Sequence, residues 1–167
     1  GISEKIISER VVALHLSVRT LHGLRALSKL AEEPDAPRSA RDLADQRYID
    51  EDYLTQILNK LTNEDVIRSK KGPSGGYFLG RDPETITLRE ILTVLEGPTI
   101  VSPCTEPEHS DCEIIEECST QNVLTAVADE IDRMLDRITL EDIRTSTESD
   151  RLDLAGTAPG GSDAISE

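Results

Sequence analysis

Tryptophan is missing from this chain, and phenylalanine and methionine occur once each. With aromatics at 2% of 167 residues, Leu, Ile and Val must fill any interior. Cations are scarce as well: 18 Lys and Arg stand against 33 Asp and Glu, a formal charge of −15. That balance excludes a protein that coats nucleic acid by bulk electrostatics. It leaves room for a local basic patch, which is what phosphates feel at short range in salt. No apolar run approaches the roughly 20 residues of a bilayer span, and no secretory leader is visible. Only three cysteines occur, so they cannot all pair within one chain, and a reducing cytoplasm is the expected home. A glycine-rich nucleotide loop is absent, as is any nucleophile with a partner base held by a third group. No catalytic residue is therefore assigned, and an enzyme is not expected. What is present, at 37% hydrophobic, is enough for one core, giving one domain or one domain with tails.

Apolar residues at spacings of three and four (Val18, Leu21, Leu24, Leu27, Leu30, Ala31) predict a helix over 18–33 with Ser17 as its cap, ended by Glu33-Pro34. Ser39, with Asp42 three residues on, starts a short second helix through a capping box. Asp50 caps a third helix to about Asn63, with Tyr53, Leu54, Ile57, Leu58 and Leu61 inward and Asp52, Thr55, Gln56, Asn59 and Lys60 outward. Two helices joined by a tight turn make a helix-turn-helix. Val66–Ser69 and Tyr77–Leu79 then read as a β-hairpin around KKGPSGG, the densest positive cluster in an acidic chain. The predicted fold is thus mainly α with a small β-hairpin wing: a winged helix-turn-helix whose helix enters the major groove and whose wing lies along phosphates or in the adjacent minor groove. The expected DNA-facing residues are Ser39, Arg41, Tyr53, Thr55, Gln56 and Lys60, with Lys70, Lys71 and Gly75 in the wing. Glutamine on such a helix can pair two-pronged with adenine.

A helix over 88–96 follows Thr87. All three cysteines come next, in PCTEPEHSDCEIIEECSTQ, spaced C-x₇-C-x₅-C. Three soft ligands in a short segment suit iron or zinc, although three ordinary reduced thiols would read the same. From Asn122 to Arg137 a long amphipathic helix carries Val123, Val127, Ile131, Met134 and Ile138. Too little of its own domain remains to cover that stripe, so a second copy is expected against it. The divisions are an extension over 1–13, the winged helix-turn-helix over 14–84, the cysteine segment and dimerisation helix over 85–144, and an acidic tail over 145–167 read as disordered.

In their order and spacing, GLRAL, YLTQILNKL, KKGPSGGY, TLREILTVLEGP, the three cysteines and ITLEDI resemble the iron–sulfur-sensing winged-helix transcription regulators of bacteria, the IscR, NsrR and RirA type. The resemblance implies a homodimeric repressor or activator on a palindromic promoter operator in double-stranded DNA. Each subunit would hold an iron–sulfur cluster through Cys104, Cys112 and Cys118 and serve iron homeostasis, with cluster-assembly proteins as partners. The long first interval is similar to the iron-responsive RirA branch and favours a 4Fe-4S over a 2Fe-2S cluster. Gln121 stands where IscR-like members have a histidine ligand, so the fourth ligand is open, with His22 and His109 as candidates. The recognition helix departs from the family's pattern, beginning Asp50-Glu51-Asp52. The alternative is a winged-helix regulator with structural zinc or no metal.

Overall fold

The computed structural model describes residues 16–44, 49–106 and 118–146. Helix α1 spans Val18–Glu32, and the Ser17 hydroxyl accepts the Thr20 N–H at 3.2 Å, as the sequence predicts for an N-cap. Its buried face is Thr20, Gly23, Ala26, Leu27, Leu30 and Ala31. The leucine stripe is therefore only half inside: Val18 is 65% and Leu21 42% exposed. Gly23 accounts for the rotation. A Cβ there would lie 2.7 Å from Leu95 Cδ1 and 3.3 Å from Ile57 Cγ2, so its absence lets two other helices close onto α1.

Ser39 starts helix α2 (Ala40–Leu43) with both halves of the predicted capping box. The Ser39 hydroxyl holds the Asp42 carboxyl below the usual range. Asp50 caps α3 (Glu51–Asn63), whose Leu54, Ile57, Leu58 and Leu61 are buried. Strands β1 (Arg68–Lys70) and β2 (Gly76–Phe78) pair antiparallel, Ser69 opposite Tyr77, one or two residues from where periodicity puts them. A bridge not foreseen adds Arg38: its N–H donates to the Tyr77 carbonyl at 2.9 Å and its carbonyl accepts the Tyr77 N–H at 2.8 Å.

Thr87 caps α4 (Leu88–Leu95). Helix α5 spans Ser119–Asp136, starting three residues earlier than expected, and α6 spans Leu140–Thr145 with its own Thr139–Asp142 capping box. One core joins Leu27 and Leu30 of α1, Leu54 and Leu58 of α3, Val66, Ile67, Leu79, Ile91 and Leu140. Burying each such aliphatic side chain contributes about 1.5–3 kcal/mol. Only Ala128 of α5 is buried, whereas α6 packs along α1 and is stitched to the start of α4. There Leu88 N–H donates to the Ile138 carbonyl at 2.7 Å and Leu140 N–H to the Ile86 carbonyl at 2.8 Å. Among the described residues no helix is long and apolar enough to cross a membrane.

Glu96, the last residue of α4's cap, clamps the start of α1. Its Oε1 accepts the buried Thr20 hydroxyl at 2.6 Å and the Ser17 N–H at 2.7 Å. These bonds, Thr20's first, hold the carboxyl below its ordinary value. A folded value below the unfolded one gives stability that is present above the unfolded value and lost as pH falls through the folded one. Glu96→Gln is therefore expected to lower the melting temperature at neutral pH, with the gap to wild type closing below about pH 4.5. Thermal melts across pH 3–7 check this, and a gap unchanged at low pH would rule out the carboxylate as its source.

Candidate functional site

The outward side of the helix-turn-helix is built on α3, because its inward residues are locked in the core. Gln56, Asn59 and Lys60 are exposed along it, behind an acidic first turn of Glu51 and Asp52. Those carboxylates suit the helix dipole and repel phosphate, so anionic contacts belong further along the helix.

Several expected DNA-facing groups are already engaged within the chain. The Thr55 hydroxyl donates to the Glu51 carbonyl at 2.8 Å, leaving only lone pairs to offer. Tyr53 is half-buried, and its ring meets His22 of α1 edge-on with centroids 6.2 Å apart. Arg41 reaches Glu51 at 3.7 Å, a pair exposed enough on both sides to be broken readily by a phosphate. Lys60 Nζ donates to the Leu95 carbonyl at 3.5 Å, at the C-terminus of α4. Ser39 shares its hydroxyl with Asp42.

The wing is freer. Between Val66 and Gly80 the chain has three cations, Arg68, Lys70 and Lys71, and no acidic residue. All three are exposed, and none has an ion-pair partner among the described residues. Gly75 makes the loop possible: its N–H donates to the Gly72 carbonyl at 2.9 Å, and a Cβ would fall 2.0 Å from the Lys70 carbonyl oxygen. Gly76 is equally constrained, with φ at +145° and a Cβ position 2.4 Å from the Arg38 oxygen.

Of the three cysteines, Cys104 and Cys118 lie among the described residues, both half-buried and outside any disulfide. Cys112 and His109 fall outside them. Cys104 sits in a 3₁₀ turn (Pro103–Thr105) that packs on α5, with its Sγ 2.9 Å from the Ser102 hydroxyl. Cys118 is the N-cap of α5, and its Sγ accepts the Gln121 N–H at 3.4 Å. Cysteine is not a usual cap, which is why the earlier helix start was not legible. Among the described residues no three His, Cys, Asp or Glu side chains converge on a metal-sized site. His22 packs against Tyr53, and its Nδ1 is enclosed without a hydrogen-bond partner.

One network escaped sequence reasoning. Arg89 of α4 bridges Asp132 at 3.1 Å and Asp136 at 3.0 Å, one turn apart on α5. The other Asp132 oxygen accepts the hydroxyl of Thr99, in the segment leading to Cys104, at 2.6 Å. Asp136 and Asp132 hold the guanidinium proton more firmly than usual. Two carboxylates four apart on the side of α5 away from Val123 and Val127 were the available signal.

A family model described as Rrf2, iron-dependent transcriptional regulator, matches residues 16–146. The HTH-type transcriptional regulator CymR of Bacillus subtilis is 31% identical over 139 residues, covering 83% of this chain and 95% of that protein. Its solved structure, of the global cysteine regulator of B. subtilis, superposes with a TM-score of 0.64 at 30% identity, covering 81% of this chain and all of that one. The structure of T. potens IscR superposes with a TM-score of 0.59 at 30% identity, covering 78% of this chain and 86% of that one.

Proposed function

The chain belongs to the Rrf2 family of DNA-binding winged-helix transcriptional regulators, which are not enzymes, and we propose that it acts as a cytoplasmic, homodimeric sensor on a palindromic operator. Its control would rest on an iron–sulfur cluster, 4Fe-4S by the spacing of the RirA-like branch, held by Cys104, Cys112 and Cys118 and loaded by cluster-assembly partners. The observation that carries the reading is the position of Cys118 as the cap of α5. Backbone N–H groups at a helix start suit a sulfur that carries negative charge as a ligand. Cys104, on a turn packed against the same helix and beside a hydroxyl, fits the same donor set.

A bound cluster would supply iron that scarcity withdraws and that nitric oxide or oxidants attack. The chain's own part is transmission. Cys118 begins α5, Thr99 before Cys104 holds Asp132, and Arg89 holds Asp132 and Asp136 against α4. The seat of α5 on the DNA-binding core thus depends on how the cysteine segment is held. Helix α5 also carries the exposed stripe expected to meet a second copy, so its seat would set the spacing of two recognition helices on half-sites.

A second reading, a regulator without a cluster, draws on the similarity to CymR, the cysteine regulator of B. subtilis. Protein purified without oxygen separates the two. The cluster reading expects a brown protein with iron and sulfide in proportion, lost when Cys104, Cys112 and Cys118 are all replaced by serine. Operator affinity should change between loaded protein, chelated protein and the serine variant. A colourless protein, with or without zinc, whose serine variant binds the operator unchanged would refute the sensing account while leaving the DNA-binding regulator intact.

A further inference from the structure

Asn59 and Tyr77 lie 18 residues apart, on the recognition helix and the wing, and the Tyr77 hydroxyl donates to Asn59 Oδ1 at 3.0 Å. Asn59 is exposed, on the outward stripe shared with Asp52 and Gln56. Tyr77 is half-buried and held on both sides, by Ser69 across the hairpin and by two backbone bonds to Arg38. The strand that carries the ring is therefore fixed, so the phenol meets the Asn59 amide from a set backbone position. Burial pushes the phenol above its ordinary value, so it stays a donor at any working pH.

We propose that Asn59 contacts DNA and that Tyr77 is its positioning residue, the wing phenol orienting the Asn59 amide so that Nδ2 donates to a backbone phosphate passing between recognition helix and wing. The proposal rests on α3 and the wing being the DNA-facing side. The Tyr77 bond occupies one of the two lone pairs of Oδ1, sets the orientation of the amide and leaves both Nδ2 hydrogens free. The amide so held presents an N–H donor, and backbone phosphate and sugar oxygens take half or more of the hydrogen bonds that proteins make to DNA. Position along α3 agrees. Asn59 lies seven residues, about 10 Å, beyond the repulsive carboxylate of Asp52 and beside Lys60.

The test uses the full chain, a duplex selected by the wild type from a randomised pool, and an unrelated duplex of equal length, read by fluorescence anisotropy. Asn59→Ala is expected to weaken binding to both by about three- to ten-fold, the range of one neutral hydrogen bond. The slope of affinity against salt should not change, because a neutral donor releases no counterion. Tyr77→Phe should weaken binding comparably and add nothing in the Asn59→Ala background, with melting temperatures close throughout. Asn59→Asp keeps the acceptor for Tyr77 and hence the fold, yet should bind worse than Asn59→Ala. Three results would overturn the proposal: Asn59→Ala within two-fold of wild type, a changed preference at one base pair on reselection, or a Tyr77→Phe effect that persists in full without Asn59. A wild type that selects no duplex would remove the DNA-facing reading itself, and this inference with it.

Discussion

Gly76→Ala is expected to abolish the wing's contribution to DNA binding while leaving the helical core folded. The residue holds φ at +145°, where a side chain is strained by about 1–3 kcal/mol from backbone conformation alone. The added Cβ would also stand 2.4 Å from the Arg38 carbonyl oxygen and 2.6 Å from its carbon. Backbone atoms cannot swing aside as a side-chain end can, so the Arg38–Tyr77 bridge must open. Opening it unseats β2 and, with it, Lys70, which pairs opposite Gly76. The wing cations then lose a fixed place relative to α3. Each lysine that no longer reaches a phosphate takes about 0.9 off the slope of log affinity against log salt. Displacing Lys70 and Lys71 together should flatten that slope by about 2 and lower affinity more than ten-fold at low salt. Anisotropy over a salt series checks this, with circular dichroism to confirm that helical content survives. Lys70→Ala/Lys71→Ala serves as the control with the bridge intact. A folded Gly76→Ala protein with unaltered slope and affinity would mean that the wing does not touch DNA.

The contrast between Lys70 and Lys60 shows what the chain makes legible. Caps are local, so Ser17, Ser39 with Asp42, Asp50 and Thr87 announce four helix starts through residues at most three apart. The buried side of α3 follows from period alone, and so do the wing cations, because no acidic residue within the hairpin can neutralise them. Partners distant in sequence are a different matter. Nothing near Lys60 foretells the Leu95 carbonyl, 35 residues away, and nothing near Arg89 foretells Asp132 and Asp136. Period puts Tyr53 on the inward side, yet nothing near it foretells His22 of α1 against its ring. Periodicity alone likewise puts Val18 and Leu21 inside, but the close approach at Gly23 turns α1 so that they face out. The family resemblance names the three cysteines together. It cannot say that the last of them caps α5, since that depends on a sulfur accepting the Gln121 N–H.

That outward turn of α1 leads to the other large effect. Val123 is 63% and Val127 43% exposed on α5, with Ile131 and Met134 continuing the stripe half-buried. Leu16, Val18, Leu21, Ile100 and Val101 are exposed too, each at 37% or more. Apolar side chains at such spacing on an 18-residue helix are what a two-fold partner would cover. Val123→Glu/Val127→Glu adds two charges to a face that the folded single chain leaves in water, so the core of Leu27, Leu58 and Leu140 has no reason to loosen. Between two copies the same charges would be buried near each other without a cation, at a cost that association cannot meet. The variant is expected to elute at half the mass of wild type in light-scattering chromatography. A palindromic duplex gains affinity from two linked reading heads by about 10²–10⁴ over one, so operator affinity should fall by that order while binding to a half-site stays near wild type. Retention of the wild-type mass at micromolar concentration would show that α5 is not the seam between copies. The palindromic operator would then lose its structural basis.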